Sequence, residues 1–174
     1  MAAEAALAVL QPVLRNLTGE DRAKATPCAD FTCHQLVEHL FTSIVQLGAM
    51  AGVTMTVPAS GSLEDKVSTL AGRAIDAWRA VDLEGTMSDP GGTTMPAAFL
   101  AGILPLELVL HGWDLAQASG QGLHISDELV AYLHSLADSI VPGGRGSSFA
   151  AEVTPPVDAT PVDRLAAFAG RVAA

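Results

Sequence analysis

Apolar residues recur at helical spacing along most of the chain. Leu7, Leu10, Val13, Leu14 and Leu17 share one face of a stretch from about Ala3 to Leu17, which Gly19 closes, so a first amphipathic helix is expected there. Thr32 followed by Gln35 is a capping-box pattern. It opens a second helix through Leu36, Val37, Leu40, Phe41, Ile44, Val45 and Leu47, with Gly48 or Gly52 as the stop. Ser62 can cap a third helix running to about Val81, with Glu64 and Asp65 at the positive end of its dipole. The stretch from Glu84 to Thr94 holds Gly85, Asp89, Pro90, Gly91 and Gly92 and reads as a loop. A fourth helix spans about Pro96 to Ser119 and ends at Gly120 and Gly122; Pro105 inside it predicts a kink or a fresh start. A fifth follows Ser126 and ends before Val141. Residues 141–160 are rich in Gly and Pro and predict a long irregular segment of the kind that is functional or mobile. Thr160 and Pro161 then start a short last helix carrying Leu165 and Phe168. Strand-like alternation at Val53–Val57 and near Val153 is too brief to count. The pattern predicts one all-α domain over residues 1–174, a helical bundle with antiparallel neighbours, short additional helices and a long C-terminal loop.

Composition supports this picture. The sequence is 49% hydrophobic but only 5% aromatic, so Ala, Leu and Val must fill the core, and Ala and Leu are strong helix formers. Nineteen acidic residues against nine basic ones give a formal net charge of -10, which repels phosphate backbones and argues against nucleic-acid binding. Cys28 and Cys33 are too few for a secreted disulfide framework. The start carries Glu4 and no basic region, unlike a signal peptide. The longest apolar run, Pro96 to Leu110, is broken by Pro105 and Glu107, so no membrane span is expected and the cytoplasm is the default location.

The fourth helix holds the most informative polar positions. Glu107, His111, Asp114 and Gln117 follow at intervals of four, three and three, which places them on one stripe of an otherwise apolar helix. A Glu and a His four apart can both reach one metal ion; the same stripe can also simply face water. The second helix has a comparable stripe through His34, Gln35, Glu38, His39, Thr42, Ser43 and Gln46. From it His39 could supply a third ligand, and a solvated face explains the pattern equally well. Asp114 either orients a ligand or caps solvent. Trp113 reads as a core anchor, Cys33 as core, Cys28 as a loop residue before the second helix, and His34, His124 and His134 as surface residues. Nothing resembles a nucleophile elbow, a phosphate-binding loop or a dinucleotide fingerprint.

The segment TPCADFTCHQLVEHL (Thr26 to Leu40), paired with ELVLHGWDLAQASGQ (Glu107 to Gln121), resembles the actinobacterial metal-binding family related to mycothiol-dependent maleylpyruvate isomerase. The stretch from Arg164-Leu165 to Phe168 and Arg171 is also similar to the end of that family. The resemblance implies a DinB-like up-down four-helix bundle. It further implies a divalent metal on His39, Glu107 and His111 without fixing the element; imidazole and carboxylate ligands suit zinc, with nickel or another transition metal as the alternative. Cys33 departs from the pattern by standing where an aliphatic residue is usual. The maleylpyruvate isomerases carry an additional C-terminal domain that helps form the substrate site, and these 174 residues do not extend to it.

Three functions follow. The first is a mycothiol-dependent metalloenzyme, an isomerase or thiol transferase acting on a small electrophile, with two His and one Glu leaving a position open for water or thiolate. In it Arg145, from the long irregular segment, could hold an anionic group. The second is a non-catalytic metal-binding module, structural or regulatory. The third is a helical interaction domain with no metal. Bundles of this kind often pair through an apolar face, so a homodimer is plausible.

Overall fold

The computed structural model describes residues 2–28, 30–88 and 91–173. Among these residues the secondary structure is predominantly helical: α1 (Ala2–Asn16), α2 (Cys33–Met50), α3 (Leu63–Arg79), α4 (Ala97–Ser119), α5 (Asp127–Ile140) and α6 (Pro161–Phe168). The starts follow from local chemistry. At α2 the Thr32 hydroxyl accepts from the Gln35 amide while the Gln35 side chain accepts from the Thr32 amide. Ser62 with Asp65 and Thr160 with Asp163 repeat the box at α3 and α6, and Ser126 caps α5 through the Leu129 amide. Each cap satisfies amides the helix cannot, worth about 1 kcal/mol. Gly120, at φ 71, ends α4 in the left-handed conformation.

Helices α1 and α2 each pack against both α3 and α4, and α5 packs against α4 and α6. The shared core is aliphatic, with Leu10, Leu36, Leu40, Leu70, Leu104 and Leu108 all at most 1% exposed. Each fully buried Leu contributes about 1.5–3 kcal/mol. Helix α4 is central and apolar on nearly every side. At Gly112 a Cβ would stand 3.3 Å from Leu10 Cδ1, so the glycine lets α1 approach α4 next to His111. By length and composition α4 could cross a membrane, but 72% of that stretch is buried inside the molecule.

Two expectations change and a third gains detail. Helix α4 runs unbroken through Pro105, so no fresh start occurs there. The predicted loop around residues 84–94 contains an antiparallel hairpin, β1 (Thr86–Ser88) and β2 (Thr94–Pro96), in which Met87 faces Met95. Three-residue strands are too short to show a period of two in sequence; Asp89 and Pro90 lie outside the described residues. The segment 141–160 is irregular, as expected, yet fastened down: Pro142–Gly144 forms a 3-10 turn, and the Val153 amide donates to the Ala167 carbonyl.

Candidate metal centre

The site lies where α2 meets α4. The apolar faces of both helices are committed to the core, which turns Glu107, His111 and Asp114 of α4 inward and brings His39 of α2 opposite them. His111 is 4% exposed and Asp114 is fully buried, which removes the reading of this stripe as a solvated face. The polar stripe of α2 does face solvent at His34, Gln35, Glu38, Thr42 and Gln46; only His39 and Ser43 are half-buried.

Glu107 Oε2 lies 3.2 Å from His111 Nε2 and 3.8 Å from His39 Nε2, and one ligand atom from each residue falls within 4.8 Å of the others. Glu107 Oε2 is buried and has no well-aligned hydrogen bond; its polar neighbours are two imidazole nitrogens, and it pairs with His111 when that ring is protonated. Ligands bound at 2.0–2.1 Å in a tetrahedral shell stand about 3.4 Å apart, so the three side chains, with ligand atoms within 4.8 Å of one another, could hold one divalent ion after shifts of about an ångström. No second pair of His residues joins them among the described residues.

The surroundings fix each ring. His111 Nδ1 is 3.0 Å from Asp114 Oδ2; donating there leaves Nε2 directed at Glu107. Asp114 is therefore not a solvent cap but the group that orients His111. Arg171 Nε donates to Asp114 Oδ2 at 3.3 Å and lies 3.3 Å from Oδ1. The ring of His39 stacks on Phe31 at 5.0 Å and meets the edge of His111 at 5.1 Å, and its Nε2 is 3.3 Å from Ser43 Oγ. Phe31 is held by a tight loop in which Thr26 Oγ1 donates to the carbonyls of Cys28 and Phe31.

Electrostatics divide the two histidines. Burial alone would lower the pKa of His111, but the charges and hydrogen bonds of Glu107 and Asp114 outweigh it and push the pKa up to about 9. Burial lowers that of His39, with Glu107 opposing. Burial raises the Glu107 carboxyl, yet His111 and His39 carry it below the usual range. Cys28, with its sulfur within 4.8 Å of ligand atoms of His111 and Asp114, is pushed up to about 11 by burial and then by Asp114, so it is a neutral thiol at pH 7.

The cluster forms one end of a cavity of about 620 Å³ whose lining includes Cys28, Phe31, Phe99, Phe149 and Arg171. Arg145 is not part of it. Its guanidinium donates to the carbonyls of Ala150 and Phe168 and lies 5.2 Å above the Phe168 ring, so it fastens the loop, and the anion-holding role weighed for it is not placed at this cavity. Arg171, 7% exposed, is the basic residue the site does contain, and no local pattern marked it. Trp113 is a core anchor, 2% exposed, with Nε1 donating to Asp163 Oδ1 at 2.8 Å. Cys33 is buried, and His34 and His124 are exposed. His134 is half-buried, with Nε2 3.2 Å from the Pro161 carbonyl.

Fold and site together define a mostly helical protein with a two-histidine, one-carboxylate cluster at the inner end of a cavity. No known family profile and no solved structure matches the chain. It is 30% identical over 176 residues to the uncharacterized proteins Rv0738 and MT0763 of Mycobacterium tuberculosis, over 98% of this chain and 96% of each relative, and it belongs to their family.

Proposed function

We propose that the protein binds a divalent metal ion, zinc in the first instance, through His39, Glu107 and His111. The observation that carries this is the convergence of one carboxylate and two imidazoles, with the buried Glu107 Oε2 3.2 Å from one ring nitrogen and 3.8 Å from the other. The mutual packing of α1 to α4 is compatible with the DinB-like up-down four-helix bundle that the sequence resemblance implies, and the cytoplasm is the compartment we assign.

We further propose a mycothiol-dependent isomerase or thiol transferase acting on a small electrophile. A bound divalent ion would supply Lewis acidity that favours thiolate over thiol. The residues do the rest. Asp114 holds the His111 tautomer, Arg171 balances the Asp114 charge, and Phe31 keeps the His39 ring in place. The cavity supports a catalytic role over a metal that merely staples two helices: His39, Glu107 and His111 all line it, and three protein ligands leave a coordination position open, whereas structural zinc sites take four.

The test is metal analysis of protein purified without a histidine tag, followed by titration with mycothiol. One equivalent of zinc, lost in the His39→Ala and His111→Ala variants, and thiol binding that depends on the metal are expected. Absence of any stoichiometric metal sinks the whole reading; metal without thiol binding sinks the enzymatic part and leaves the non-catalytic module.

A further inference from the structure

The cavity above the three ligand side chains has a chemistry of its own. Its volume of about 620 Å³ is that of a small-molecule site. Most of its wall is apolar, from Met50 at the end of α2, Met95 of β2, Phe99, Ile103 and Leu106 of α4, and Ile140 of α5. Met50, Met95, Phe99 and Ile103 are only half-buried, because one side of each faces this space rather than the core. His39, Glu107, His111 and Arg171 also line the cavity and are linked by ion pairs, directly or through Asp114, while Ile103 and Phe99 stand about one and two turns back from Glu107 along α4, so polar and apolar walls are set apart.

Charge at the polar end selects one kind of head group. Glu107 and Asp114 bring two negative charges, and Arg171 with a divalent ion brings three positive ones, so with neutral imidazoles the end is left one positive charge in excess. Asp30 also lines the cavity, but it is exposed and its charge is screened by solvent. Arg171 is the single basic residue in the described lining and is already paired with Asp114. A second anionic group further up the cavity would therefore lie against Phe99 and Ile103 with no cation, at the cost of burying an unpaired charge. With mycothiol as co-substrate, its hydroxyl-rich body would stay at the rim beside Ser147 and Ser148.

We propose that the cavity binds an amphipathic monoanion, with one carboxylate or thiolate head at the His39–Glu107–His111 end and an apolar aryl or alkyl body along Phe99, Ile103 and Met95. This deepens the metal-site reading and rests on it.

Cobalt(II)-loaded protein tests it through visible absorption, without any assay of turnover. Cobalt bands on loading report the metal site. Titration with 4-phenylbutanoate and with 4-phenylbutane-1-thiol should then shift those bands saturably, and the stronger of the two identifies the head group. Succinate, a short dianion, and 4-phenylbutan-1-ol should bind at least about tenfold more weakly, a difference of about 1.4 kcal/mol. Ile103→Asp should keep the cobalt spectrum and weaken the better ligand by more than about tenfold, because the new carboxylate repels the head and hydrates the wall. If that variant loses the cobalt bands, Met95→Asp, outside α4, takes its place with the same expected loss. Normal cobalt bands with neither phenylbutyl ligand bound more tightly than succinate or the alcohol overturn the inference and leave the metal site standing. No cobalt uptake overturns both.

Discussion

Metal uptake at this site should expel a proton, and the pH at which it stops doing so is readable from the structure. In the metal-free protein His111 sits between Asp114 at 3.0 Å and Glu107 at 3.2 Å, and the two carboxylates hold its pKa near 9 against the opposing effect of burial. The rise from 6.5 to about 9 is worth on the order of 3 kcal/mol in favour of the imidazolium. A metal needs the Nε2 lone pair, so below pH 9 it must displace that proton. Apparent zinc affinity should then climb about tenfold per pH unit from pH 6.5 to 9 and level off above it. His39, held below its ordinary pKa by burial, gives up its proton at lower pH than His111, so the slope toward pH 9 belongs to His111. The same raised pKa makes His111 contribute stability to the metal-free fold that is complete below about pH 6.5 and lost as pH rises through about 9. Competition against a chelator from pH 6 to 10, with calorimetry in two buffers of different ionisation enthalpy, measures both slope and proton count. In Glu107→Gln the slope should flatten at lower pH than in the parent protein because one of the two carboxylates holding the proton is gone. An affinity flat between pH 6.5 and 9 with no proton released would refute the argument.

Further substitutions separate site from scaffold. Asp114→Asn leaves Arg171 buried without its charge partner and frees the His111 ring; zinc affinity should fall about 10–100-fold and urea unfolding should show a loss of about 3 kcal/mol. Arg145→Ala removes donors to the Ala150 and Phe168 carbonyls; a loss of about 1–2 kcal/mol in urea unfolding with unchanged zinc affinity is expected, and altered affinity would place Arg145 back in the site. Thr32→Ala breaks the cap of the helix that carries His39 and should cost about 1 kcal/mol, seen as a lower thermal midpoint with metal stoichiometry unchanged.

How much of this was legible in the sequence divides along physical lines. Helix starts were readable because a capping box is local: Thr32 and Gln35 are three residues apart and their bonds need nothing else. The inward direction of Glu107, His111 and Asp114 was half-readable. Their common stripe follows from helical period alone, but whether it meets solvent or another helix depends on what packs there, and a helix as uniformly apolar as α4 has no preferred side. The hairpin at 86–96 escaped because three-residue strands carry no period. Arg171 escaped for a stronger reason. It lies 57 residues from Asp114, beyond a left-handed Gly170 whose Cβ would collide with the Ala150 backbone, so only the completed path of the chain brings the guanidinium to the carboxylate. That path gives the pair its meaning. A fully buried Asp beside a buried His would otherwise compete with Glu107 for positive charge; with Arg171 in place Asp114 is balanced from behind, and His111 can offer Nε2 forward to Glu107 and whatever ion joins them. The ligand triad was visible as a pattern, but the charge balance that makes it usable comes from a residue that no spacing rule connects to it.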